Sequence, residues 1–439
     1  MKKIILTFSL IAITGLTYSQ GLILDAAKYK NIDQWIPPEK LGFSTSALPV
    51  KISYRKYCPS PQIQRGATCV GWSAAYAAYS TQSNIQMNIT KINHKWARAF
   101  DPNFVYNVIK DENDYDCTKG TALYNAFSTL KKYGCKPLIW EPWLNCTDTN
   151  TFKKFTFDLA SYYKIIEFYS SNMENIIEST KKALYSERLV VIGVNLTESF
   201  MTGSSLHYGQ WSPTTNEPTT GGHAMCVIGY DDTKFGGAFE IMNSYGSDFG
   251  DRGFIWINYK DFAAKVGEAY IFDTQEYKTT NCSFGDCLNS YSRFKFNNGD
   301  VYEGIIKNAE LDIYGAYLFN DGSIYIGDWK TGRKHGFGLL YDEPTRKFYS
   351  TYYQNDVLIE HKSLGFAMSA SEKKSIDKLA EIKKTLPGEL SDENDFDTTQ
   401  KALSKYEAPD KPITVKVDIR PADKPIKSTP KNIQKKPAK

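Results

Sequence analysis

The sequence predicts an α+β fold, with a helical half led by Cys69 and a β-rich half holding His223 and Asn243. Three stretches carry that expectation. After Cys69 the run VGWSAAYAAYS is alanine-rich and free of proline, so a helix is predicted to begin at Cys69. The apolar run Ala224 to Tyr230, in GGHAMCVIGYDD, reads as a buried strand opened by His223. Residues 239–257, FEIMNSYGSDFGDRGFIWI, read as a strand ending at Asn243, a Gly-rich turn and a second strand.

The elements follow in chain order. MKKIILTFSLIAITGLTYSQ has two lysines, a short apolar core and then the small residues Thr17 and Ser19. That order predicts a signal peptide over residues 1–19, cut before Gln20. No later run reaches the roughly 18 apolar residues that a spanning helix needs. The expected location is therefore secreted, periplasmic or cell surface. Residues 20–48 form a lead segment, and 49–275 mix helical and strand patterns. Residues 291–356 are rich in Gly, Tyr and Phe, and 365–439 are mostly Lys, Glu, Asp, Ser and Pro.

Charge is unevenly placed. The chain carries a net +4, but residues 411–439 hold nine Lys or Arg against two Asp, a local +7 that leaves −3 elsewhere. A run of that kind reads as a solvated, disordered tail, and no nucleic-acid partner is expected. Within the tail, SEKKSIDKLAEIKKTL is the one helical candidate, ended by Pro387 and Gly388.

The eight cysteines are Cys58, Cys69, Cys117, Cys135, Cys146, Cys226, Cys282 and Cys287. In an exported chain they read first as disulfides. Cys282 and Cys287 are close enough to close a small loop, and Cys226 in its apolar run reads as a buried free thiol. With no CxxC, no HExxH and five scattered histidines, neither a metal nor a cofactor is expected.

Cys69 is where the chemistry concentrates. A lone cysteine is more often buried or bridged, and a histidine beside a strand is more often structural. A thiol at a helix N-terminus, however, feels the macrodipole and free amide donors, which favour thiolate. It becomes a nucleophile when a histidine can hold and return its proton. His223 is the candidate base, and Asn243 can accept a hydrogen bond from its ring.

Together, QRGATCVGW, GGHAMCVIGY and NSYGSDFGDRGFIWI resemble the motifs of papain-like cysteine peptidases over residues 49–275. The resemblance implies a two-subdomain fold, helical half plus β-barrel-like half. It implies Cys69 as nucleophile, His223 as base and acid, Asn243 as orienting residue and Gln64 as oxyanion donor. Cys69 and His223 lie 154 residues apart, slightly beyond the family's roughly 130–150. Four departures stand out. The family's glutamine precedes the cysteine by six residues, where this chain has Ile63, so Gln64 requires a one-residue shift. Gly66 replaces a customary cysteine, so the usual bridge is absent. Tyr245 replaces the tryptophan that shields the Asn–His contact. The lead segment is short for an inhibitory propeptide, so zymogen control is not expected.

Downstream, Gly299 and Gly322, Tyr302 and Tyr325, Gly304 and Gly327, and Gly315 and Gly338 each recur after 23 residues. A fixed period signals stacked supersecondary units, and the pattern at 325–338 resembles a MORN repeat, implying one hairpin per repeat. The expected function is an exported, monomeric cysteine endopeptidase acting on protein or peptide through a thioester acyl-enzyme. Transamidation or deamidation at the same site, or an inactive peptidase-fold binding protein, are the alternatives. The repeats and basic tail are the candidate contacts to a surface or membrane.

Overall fold

The computed structural model describes residues 21–38, 48–138, 154–203, 206–207, 209–213, 217–275 and 280–366. The signal-peptide expectation (1–19) and the tail beyond Phe366 lie outside the described residues. Among the described residues no helix is long and apolar enough to cross a membrane.

The helix expected at Cys69 begins there and runs unbroken to Gln86, through Cys69–Gly71, Trp72–Tyr79 in π register, and Ser80–Gln86. Its alanines let the helix sink completely: Ala74, Ala75 and Ala78 have no exposed surface. Around it pack Pro102–Ile109 and Leu123–Lys132, forming the helical half. Asp101 caps the first of these through the Asn103 N–H.

The other half is a nine-stranded, mostly antiparallel sheet. Its strands are β1 (Lys51–Ser53), β2 (Ile165–Ser170), β3 (Val190–Thr197), β4 (Leu206–His207), β5 (Gln210–Trp211), β6 (Thr219–Asp231), β7 (Ala238–Met242), β8 (Phe254–Asn258) and β9 (Val266–Thr274). Their order is β2-β9-β3-β6-β7-β8-β5-β4, with β1 also on β6. The apolar run after His223 lies inside β6 and is buried throughout, because β3 and β7 flank it. Where the halves meet, the buried Gln82 amide donates to Phe272 O at 3.1 Å and accepts from Leu189 N at 3.0 Å. Phe127 stacks on Tyr270 at 5.2 Å.

A second sheet of eight antiparallel strands follows in simple chain order. It comprises β10 (Cys282–Phe284), β11 (Tyr291–Lys295), β12 (Val301–Lys307), β13 (Glu310–Leu318), β14 (Ile324–Lys330), β15 (Arg333–Asp342), β16 (Lys347–Gln354) and β17 (Val357–Phe366). It extends beyond 291–356 at both ends, because β10 and β17 complete the pairing of the strands inside that range. Cys282 and Cys287 form the expected local disulfide. The 23-residue period has a physical cause: Gly304, Gly315, Gly327 and Gly338 stand side by side across β12–β15. Tyr302 folds over Gly304 and Gly315, and Tyr325 over Gly327 and Gly338, where any Cβ would collide with a ring.

This sheet is fixed to the helical half by a buried polar cluster. Glu303 on β12 is gripped by Arg98 and by Arg293, the latter at 2.8 Å, and accepts from the Tyr163 hydroxyl. Tyr163 also bonds Tyr291, which stacks on Tyr162 at 4.6 Å.

Candidate active site

The loop before Cys69 is tied to the strand end that carries Asn243. Ile63 pairs with Tyr245, and Gln64 N donates to Ser244 O at 2.8 Å. Those backbone bonds carry the N-terminus of the central helix to the ends of β6 and β7. Cys69 is fully buried there, and the backbone N–H of Ala224, the residue after His223, points at its sulfur.

His223 and Asn243 are joined directly. Nε2 of His223 lies 2.8 Å from Asn243 Oδ1. The same oxygen accepts from Ser244 N at 2.8 Å, so it is the amide oxygen that faces the ring, and Nε2 must carry the proton. Nδ1 then presents a lone pair, and it makes no hydrogen bond among the described residues. Tyr245 covers the pair, its ring 4.8 Å from the imidazole, with Phe200 behind it at 6.1 Å.

Gln64 is buried, whereas Ile63 is half exposed and turned outward. The Gln64 amide oxygen accepts from the Ser244 hydroxyl at 2.6 Å, and its Nε2 donates to Gly66 O at 2.9 Å. Ser244, which the sequence reading passed over inside its own motif, therefore fixes which way the Gln64 amide faces. Ser244→Ala should lower kcat/KM about five- to tenfold through loss of this bond, read with a fluorogenic peptide, and Ser244→Thr should restore part of it.

A family model described as papain family cysteine protease matches residues 51–279. The chain belongs to the papain family of cysteine proteases. It is a papain-like cysteine peptidase with the α+β fold described above, and its substrates are proteins or peptides. Among solved structures it is similar to xylellain, a cysteine protease from Xylella fastidiosa, at 22% identity over 59% of this chain and 97% of that one, with a TM-score of 0.48. It is also similar to procathepsin B S9 from Trypanosoma congolense, at 14% identity over 59% and 87%, TM-score 0.46. Bromelain from Ananas comosus in complex with the E64 inhibitor aligns at 16% identity over 52% and 100%, TM-score 0.39. No curated protein sequence matches the chain.

Two features of this peptidase depart from the sequence expectation. The lead segment, read from the sequence as short for an inhibitory propeptide, lies in the cleft. Leu22 N donates to Gly222 O at 3.0 Å, Thr121 N to Gly21 O at 2.8 Å, and Ile23 N to Thr121 O at 2.9 Å. The backbones touch: a Cβ on Gly120 would lie 2.2 Å from Gly21 O, and one on Gly222 2.3 Å from Leu22 O. Gly21 N–H is directed at the Cys69 sulfur.

The second departure follows from the first. Burial pushes the Cys69 thiol up to about 11 against the pull of the surrounding amides, and pulls His223 down to about 4 against its bond to Asn243. With the cleft covered, the pair is a neutral thiol and a neutral imidazole, not the thiolate a helix N-terminus alone would favour. Cys117, which stands where Gly66 packs, is disulfide-bonded, whereas Cys58, Cys135 and Cys226 are buried free thiols.

Proposed function

We propose that Cys69, His223 and Asn243 carry out peptide-bond hydrolysis, with Gln64 and the Cys69 backbone N–H stabilising the oxyanion, in an exported endopeptidase. The observation that carries this reading is the Asn243–His223 bond, which fixes the tautomer and leaves Nδ1 as proton acceptor at the turn where the Cys69 sulfur sits. Once the cleft opens, Nδ1 takes the thiol proton and the thiolate attacks the scissile carbonyl. The imidazolium returns the proton to the leaving amine, and water then deacylates the thioester by the reverse sequence.

The lead segment acts as a cover. It occupies main-chain bonding positions on both walls of the cleft and excludes water from Cys69, so a substrate must displace it. The glycine ladder and stacked tyrosines support reading the second sheet as MORN-like repeats, a docked module that widens the enzyme's surface.

The decisive assay incubates the protein with a mixed peptide library in mild reductant and reads products by mass spectrometry, with Cys69→Ala as control. New termini that vanish in the variant are the expected result. Intact peptides with shifted masses would replace hydrolysis by transamidation or deamidation. No change at all, in the unaltered chain and in a Leu22→Asp variant whose cover is displaced, would leave a binding protein.

A further inference from the structure

Behind the Asn243–His223 bond lies a small cavity that the reaction as described does not use. It sits between the central helix and the ends of β6 and β7, with Gln62, Trp72, Ser73, Tyr76 and Asn243 in its lining. It offers about 10 Å³ to the centre of a water, which is room for a single molecule.

Two of the lining side chains bring buried donors that lack an acceptor. Asn243 commits Oδ1 to His223 and to Ser244 N, so the nitrogen end of its amide is turned away from the ring. The residue is 3% exposed, and Nδ2 donates to no acceptor among the described residues. Trp72 stands one helical turn past Cys69, and its Nε1 is buried and equally without an acceptor. The two cannot satisfy each other, because an indole N–H and an amide NH₂ only donate. The lining supplies the complementary groups. Ser73 gives its hydroxyl proton to Val70 O at 3.2 Å and keeps its oxygen lone pairs. Gln62 donates Nε2 to Ser60 O at 3.3 Å and keeps Oε1 as an acceptor. A water oxygen accepts two hydrogen bonds and donates two, which is what these four groups require.

We propose that this cavity holds one ordered water accepting from Trp72 Nε1 and Asn243 Nδ2, and that Trp72 is thereby a positioning residue for the Asn243–His223 pair; the second part rests on the peptidase reading above. The bridge joins the helix that carries Cys69 to the strand end that carries Asn243. It pins the far end of the amide, so Oδ1 stays on the imidazole while the ring takes and returns its proton. That bond is charge-assisted once the ring is an imidazolium. Loosening it therefore makes the ring give up its proton more easily.

The test has a structural arm and a kinetic one. A crystal structure of the full chain carrying Cys69→Ala should show one water within about 3.2 Å of both Trp72 Nε1 and Asn243 Nδ2. A dry cavity, or a water bonded to neither nitrogen, would overturn the inference and leave the peptidase standing. The kinetic arm uses the Leu22→Asp chain, whose cover is displaced, and adds Trp72→Phe. Loss of the N–H should lower kcat/KM about five- to tenfold, chiefly through kcat. The alkaline limb of the profile should move down by about half a pH unit or more. The titratable groups beside the ring are the Cys69 thiol and Tyr245, and both stay in place. Replacing Trp72 instead by its benzothiophene analogue, which keeps the shape and puts sulfur where the N–H was, should give the same shift, so lost packing does not imitate it. An orphan donor with no water would behave oppositely, since its removal is neutral or stabilising. An unmoved alkaline limb, with kcat/KM within about twofold for both replacements, would overturn the positioning role. Absence of cleavage by the Leu22→Asp chain, with the water in place, would overturn the peptidase reading and not the water site.

Discussion

Leu22→Asp should raise the alkylation rate of Cys69 by iodoacetamide at pH 6 about a thousandfold over the unaltered chain. In the covered state the thiol sits near 11 and the imidazole near 4, so between those values the pair is uncharged. Thiolate is then rare at pH 6, and reactivity climbs roughly tenfold per pH unit towards 11. Aspartate at position 22 cannot stay buried in the apolar surroundings of Gly193 and Leu123, and its departure takes Gly21 from the sulfur. The opened site can then exchange a proton from Cys69 to His223 Nδ1 and hold it as an ion pair. Its reactivity should be high and nearly flat across mildly acidic to neutral pH. A variant that alkylates as slowly as the parent, with the same pH slope, would show that the segment is not what silences the thiol. Peptidase activity should rise in parallel, because the same movement frees the main-chain groups of Thr121 and Gly222.

The second large effect concerns stability. Glu303→Gln should lower the free energy of unfolding by about 3–5 kcal/mol, the usual consequence of removing one partner from a buried ionic group. Glu303 faces two guanidiniums, Arg98 at 5% and Arg293 at 7% residue exposure. With an amide between them, two buried positive charges face each other with no countercharge. Replacing Arg98, Arg293 and Glu303 together by apolar residues should be milder, since no orphan charge remains. Urea unfolding read by tryptophan fluorescence measures both. A loss below about 1 kcal/mol for Glu303→Gln, within the range of exposed pairs, would mean that the cluster contributes little to holding the second sheet in place.

What was legible in the sequence was what local pattern determines. An alanine-rich, proline-free run gives a helix wherever it occurs, so its start at Cys69 could be read directly. The apolar strand after His223 and the Gly-rich turn after Asn243 carry their own signals, and the five-residue spacing of Cys282 and Cys287 allows only a short loop. The tyrosine–glycine period was visible because each repeat obeys the same packing rule. What escaped depends on contacts between distant residues. Leu22 meets Gly193 and Leu123 through space, and a four-residue apolar stretch beside a predicted cleavage point looks like loop. Arg98, Arg293 and Glu303 are ordinary surface charges until the second sheet closes over them. The charge state of Cys69 was misjudged for the same reason. The dipole of its helix is a local property, but the burial that overrides it comes from a segment nearly fifty residues upstream.

The two glycines flanking the cleft have a consequence for what this enzyme can digest. With no side chain at Gly120 or Gly222, those points of the cleft walls hold a chain by its backbone amides and carbonyls, whatever its sequence. Those groups are already committed within a helix or an interior strand. A native target can then be cut only where it transiently loosens, and its lifetime in the presence of this enzyme should follow the free energy of that opening. Two proteins with the same cleavable sequence should differ in half-life by as much as their loops differ in protection from hydrogen exchange.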